Sequence, residues 1–196
     1  MKIPRKQQSG RLERKKSLFF SYLFPIEAKE HMDRHLETLQ KEHPKADHIV
    51  YAYRIGREPH TTSGYSDAGE PRGTAGKPLF DLIGYKELTN VLIAVVRYFG
   101  GIKLGTGGLV KAYTESGQVA LEKAPVAELH NTKTITVKTD YHFYEPVKRY
   151  LQQHEITVKG EEFTTEVLLV CSVIEEEVEQ FGQELSELTN GTVIIE

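Results

Sequence analysis

The sequence predicts an α+β protein of two domains, and three observations carry that expectation. A nearly continuous apolar strand, Asn90 to Val96, runs into a glycine-rich loop and then into a helical pattern. After residue 131 the hydrophobic periods follow the order β-α-β-β-α-β. Charge divides at the same place: residues 1–131 hold 20 Lys and Arg against 15 Asp and Glu, residues 132–196 hold 5 against 13, while the whole chain is only −3.

Each element follows from its pattern. Ser17 to Phe24 reads as a strand, Glu27 to His43 as a helix with Met32, Leu36 and Leu39 on one face, and His48 to Ile55 as a strand. A polar island precedes a second helix carrying Leu79, Leu82 and Ile83, with Pro78 expected as its first residue. The β-branched run before Arg97 suits a strand buried on both faces, and Leu109, Ala112 or Tyr113, Ser116 and Ala120 then fall at helical spacing. Pro125 to Asn131 is the expected boundary. Beyond it come strands at Thr134–Tyr141, Ile156–Phe163 and Thr165–Ile174, helices at Tyr144–His154 and Glu176–Asn190 with Gly191 as C-cap, and a strand at Thr192–Ile195. The domains are therefore expected as a basic N-terminal arm at 1–16, a first domain at 17–128 and a ferredoxin-like second domain at 132–196.

The loop Arg97-Tyr98-Phe99-Gly100-Gly101-Ile102-Lys103-Leu104-Gly105-Thr106-Gly107-Gly108-Leu109 holds five of the 16 glycines. It enters a helix, where unpaired N–H groups and the helix dipole favour an anion. Arg97 and Lys103 add full charges. Neither nucleotide fingerprint is met: Thr106 stands where a Walker loop needs lysine, and Val110 where the dinucleotide motif needs its last glycine. The plainer reading gives these glycines to tight turns with positive φ.

The second island runs Ser66-Asp67-Ala68-Gly69-Glu70-Pro71-Arg72-Gly73-Thr74-Ala75-Gly76-Lys77-Pro78. Thr74 to Lys77 form another helix entrance able to hold an oxyanion, and Asp67 and Glu70 are placed either to hold magnesium or to orient Arg72 and Lys77. The plainer reading is a solvated turn with Asp67 as a local cap.

Together the two islands closely resemble the YigZ/IMPACT family. The likeness extends to Lys16-Ser17-Leu18-Phe19, Glu27-Ala28, Ala46-Asp47-His48 and Ala52-Tyr53, and covers residues 16 to 196. The family commonly has a second acidic residue where Ala68 stands, a small residue at Arg72 and a threonine at Val96. The loss of a carboxylate at 68 and the gain of a cation at 72 both lean towards anion binding. The resemblance implies an N-terminal two-layer α/β domain similar to the second domain of a small-subunit ribosomal protein and to a domain of elongation factor G, followed by the ferredoxin-like domain. It also implies a link to translational control, through an activator of an initiation-factor kinase in eukaryotic relatives.

Composition, 39% hydrophobic and 27% charged, suits a soluble chain with one sizeable core or two small ones. No run reaches the roughly 20 apolar residues of a membrane span and no apolar signal segment opens the chain, so a cytoplasmic location is expected. Cys171 alone excludes a disulfide framework and reads as a packed strand thiol. His31 and His35 lie one helical turn apart without a third ligand, and His48 at a strand start reads as structural.

The residues thus point to a non-enzymatic, anion-binding accessory protein directed to RNA or ribosome-associated nucleic acid, without cofactor or metal. The phosphate contacts are expected at Arg97, Lys103 and the amides of Gly100, Gly101, Gly105, Thr106, Gly107 and Gly108. Arg72, Lys77 and the amides of Thr74, Ala75 and Gly76 form the facing wall, with Asp67 and Glu70 orienting the cations. Two alternatives remain open: a magnesium-dependent enzyme acting on a phosphorylated small molecule, with the metal on Asp67 and Glu70, and a protein–protein adaptor in translation.

Overall fold

The computed structural model describes all 196 residues, which divide into two compact units, Met1–Leu129 and His130–Glu196. In the first unit β1 (Lys2–Pro4), β2 (Gln8–Arg14) and β3 (Ser17–Pro25) lead into α1 (Lys29–Glu42). They are followed by β4 (His48–Ile55), β5 (Thr62–Ser66), α2 (Gly76–Tyr85), β6 (Val91–Tyr98), α3 (Thr106–Glu122) and β7 (Val126–Glu128).

Five of these strands make one antiparallel sheet in the order β2-β3-β6-β4-β5. The central strand β6 is buried from Val91 to Arg97 because both its faces are covered. Val91, Ile93 and Val95 meet Leu79, Leu82, Ile83, Leu109, Ala112 and Tyr113 of α2 and α3, which gives the expected two layers. On the other face Leu92, Ala94 and Val96 meet Met32 and Leu39, so α1 adds a cover on the second side. Burial of apolar area at about 25 cal/mol per Å² makes these two clusters the main stabilising feature of the unit.

Residues 1–16 are not an arm. β2 pairs along its whole length with β3, from Gln8 opposite Leu23 to Arg14 opposite Ser17, and β1 pairs with β7. The basic side chains sit on the exposed rim of folded strands, with Arg14 bound through Nε and Nη2 to Glu115 of α3 at 3.1 and 2.8 Å. The strand escapes notice because Leu12 is its one large apolar residue. The second helix also begins earlier than Pro78, at Gly76, since the Asp67 carboxylate organises its first turn.

The second unit contains β8 (Thr132–Thr139), α4 (Tyr141–Gln153), β9 (Thr157–Phe163), β10 (Val167–Ile174), α5 (Val178–Leu188) and β11 (Ile194–Ile195). The antiparallel order β11-β8-β10-β9, with two helices, is the ferredoxin-like arrangement. Val137, Leu169, Cys171 and Val173 pack on Val147, Leu151, Phe181 and Leu185. Helix α4 starts three residues before Tyr144 because Asp140 caps it, accepting from the Phe143 N–H at 3.1 Å. Gly191, at φ 79°, donates to the Ser186 carbonyl and closes α5. Burial raises the Cys171 thiol to about 11, so it remains a protonated packing group.

Candidate functional site

Three adjacent strands converge at one end of the first sheet. Arg97, the penultimate residue of β6, lies opposite Phe19 of β3 on one side and His48 of β4 on the other, so all three share the face covered by α2 and α3. The turn after β5 passes over this end through Ala68 and Gly69, both at positive φ (48° and 88°), and delivers Glu70 into the interior.

Glu70 and Arg97 form a buried ion pair. Glu70 Oε1 accepts from Arg97 Nη1 at 2.5 Å and from the Tyr113 hydroxyl at 2.7 Å, and the two charged side chains are 3% and 6% exposed. Burial, reinforced by the hydrogen bond to Glu70, pushes the Tyr113 phenol far above its ordinary range, so it is a fixed neutral donor. The guanidinium carbon of Arg97 sits 5.5 Å from the ring centres of both Phe19 and Phe99. Nη2 reaches Ser17 Oγ at 3.4 Å, and Ser17 also accepts from the Gly100 N–H at 3.1 Å. Arg97 Nε is buried without a partner.

This pair forms the floor of a cleft of about 430 Å³ whose walls are Asp47, His48, Pro71, Phe99, Lys103, Leu104, Gly105, Thr106 and Leu109. Lys103 is exposed and takes part in no ion pair. Gly105, at φ 76°, is the N-cap of α3, no side chain caps the helix, and its first turn carries no acidic residue. The amides of Thr106, Gly107 and Gly108 precede the first helical bond, from the Leu109 N–H to the Gly105 carbonyl at 2.9 Å. The positive φ expected of the loop falls on Gly101 and Gly105, whereas Gly107 is helical. Gly100 serves a different need: a Cβ there would overlap the main chain of Lys16.

The facing wall differs from expectation. Asp67 accepts from the amides of Gly73, Ala75 and Gly76 at 2.8, 3.1 and 2.8 Å, so the entrance of α2 is closed by an anion of the chain itself. Partial burial opposes ionisation of Asp67, but these three amides and nearby Arg72 outweigh it and hold the carboxyl below its usual range. Thr74 bonds back to the Pro71 carbonyl at 2.6 Å and is buried. Lys77 pairs with Asp81 at 2.7 Å and lines a separate groove with Tyr85 and Val110. Arg72 is exposed and absent from the cleft walls. With Asp67 engaged by amides and Glu70 by Arg97 and Tyr113, the two carboxylates do not form a magnesium pair.

The roles of four residues in or beneath the cleft were not legible in the sequence. His48 Nδ1 lies 2.8 Å from the Ala68 carbonyl, which can only accept, so Nδ1 carries a proton and Nε2 faces the cleft, 3.9 Å from Glu70 Oε1. Asp47 accepts from the Phe99 N–H at 2.8 Å and fixes the start of the glycine loop. Tyr113 falls at helical spacing in the sequence, and Phe99 lies within the glycine-rich run. Their roles come from neighbours distant in sequence.

Residues 15–121 match the family model described as the Impact N-terminal domain, and residues 137–192 match a domain of unknown function, DUF1949. An IMPACT family member of Haemophilus influenzae is 34% identical over 94% of this chain and 90% of its own length. The IMPACT family member YvyE of Bacillus subtilis is 32% identical over 90% of this chain and 81% of its own length. A solved crystal structure of a hypothetical protein superposes with a TM-score of 0.66 at 31% identity, covering 99% of this chain and 95% of that one. No helix is long and apolar enough to cross a membrane. With the Impact N-terminal match spanning more than half of its residues, the chain belongs to the IMPACT family.

Proposed function

We propose that the chain is an anion-binding accessory protein of translation that takes RNA phosphate in the cleft between β6 and α3. The observation that carries this reading is the uncapped α3 N-terminus beside the unpaired Lys103, in contrast to the α2 N-terminus that Asp67 closes. The contact set differs from the sequence expectation in one respect. Lys103 and the amides from Thr106 to Gly108 meet the phosphate, while Arg97, neutralised by Glu70, holds the floor rigid. The excess of cations in residues 1–131 steers a polyanion to this unit. Family membership, with the tie to translational control that the resemblance implies, directs the reading to cytoplasmic RNA and its protein partners. Retention of RNA by the whole protein, titrated against salt, tests it: a linear fall of log affinity with log salt supports the reading, and absence of retention at low salt refutes it.

A second reading is favoured by His48. Its ring, oriented by the Ala68 carbonyl, lines a cleft that also holds Lys103 and Thr106 at the α3 N-terminus, which suits an enzyme acting on a phosphorylated small molecule without a metal on Asp67. Turnover of phosphate monoesters that His48→Gln abolishes selects this reading over the first.

A further inference from the structure

We infer that the cleft selects single-stranded RNA, with one phosphate at the α3 N-terminus and Lys103 and the adjoining base stacked on Phe99. The inference rests on the anion-binding reading above and adds the identity of the unit bound. The cleft, about 430 Å³, falls in the size range of small-molecule sites, which leaves room beside a phosphate for a base. Phe99 lines that space, and it is 45% exposed. Its main chain is held by the Asp47 carboxylate and its ring lies beside the Arg97 guanidinium, so the aromatic surface is presented by a fixed support.

The arrangement places a cation, free amides and an aromatic ring within one cleft, which is how backbone-tracking proteins hold unpaired nucleotides. A base inside a duplex is stacked on both faces and cannot reach Phe99, so a double helix gains the phosphate contact alone. Arg97 lines the same cleft, and its buried Nε has no partner within the chain. The polar groups beside the ring, Asp47 and Arg97, are already engaged by the Phe99 amide and by Glu70, so sequence preference is expected to be weak.

The test uses the full chain and three probes of equal length: a mixed-sequence single-stranded RNA, the same backbone with abasic sites, and the RNA duplex. The parent is expected to bind the single strand roughly 5- to 150-fold more tightly than the abasic strand, the range that stacking of one base gives. Phe99→Ala should remove that preference without changing the salt slope, and Phe99→Trp should keep it. Equal binding of all three probes with a slope that responds to Lys103→Ala would overturn the inference and leave the anion-binding reading standing. Tighter binding of the duplex would also overturn it. Retention of none of the probes would overturn both. The parent's own ranking of the probes decides the matter even where Phe99→Ala impairs folding.

Discussion

The Glu70 carboxylate and the Arg97 guanidinium, 2.5 Å apart and both shielded from solvent, tie the turn after β5 to the end of β6. Removing one partner leaves the other charged and buried. Glu70→Ala is therefore expected to destabilise the protein by about 3–5 kcal/mol, read as a lower urea midpoint. The double change Glu70→Leu with Arg97→Met should recover most of that loss, because no unpaired charge remains. Additive losses in the double variant would show that the pair is not coupled.

Asp67 makes a separate prediction with a defined sign in pH. Its folded-state pKa lies below the ordinary value, so its three amide bonds contribute fully above the unfolded pKa of about 3.9 and are lost as pH falls through the folded value. Asp67→Asn should cost about 1–3 kcal/mol at pH 7 and flatten the acid limb of the stability curve. A variant whose acid limb matches the parent's would remove Asp67 from this role.

The fold was largely legible because its signals are local. The alternation in Ser17–Phe24, the apolar run before Arg97, and the spacing of Leu109, Tyr113 and Ala120 each reflect burial on one element. The site was legible only in part. Lys103 and the α3 entrance are encoded within a few residues, whereas the partner that neutralises Arg97 lies 27 residues away in a turn. The Asp67 bonds that close the α2 entrance span up to nine residues through three positive-φ positions, which no periodicity announces. His48 acquires its meaning from β4–β6 register, and β2 is visible only through its pairing with β3.

That pairing predicts the effect of truncation. Deleting residues 1–14 removes β1 and β2, exposes the edge of β3, and uncovers Val119 of α3, against which Gly10 lies too closely for any side chain. A chain starting at Lys15 should melt at a lower temperature and aggregate. A midpoint equal to the parent's would mean that the strand contributes nothing and that the basic head acts as a solvated tail.

Two glycines of the loop should respond in opposite directions. Gly100→Ala brings a methyl group into the Lys16 main chain, which must shift, at a cost of about 3 kcal/mol. Gly107→Ala places the methyl group in open space on a helical residue, where it should be neutral or stabilise by up to about 1 kcal/mol. Thermal melts of the two variants read the difference, and a destabilised Gly107→Ala would contradict the helical geometry.

Lys103→Ala separates ligand contact from architecture. The side chain is exposed, unpaired and outside any helix or strand, so its loss should change stability by no more than about 0.5 kcal/mol. RNA binding should weaken similarly for every sequence, because a phosphate contact carries no base information. The magnitude of the salt slope should fall by about one, the signature of a single counterion-releasing contact. Arg72→Ala, which alters a cation outside the cleft, supplies the control and should leave affinity nearer the parent's. If both variants reduce the slope equally, the cleft has no privileged phosphate site and the first unit attracts RNA through its overall charge alone.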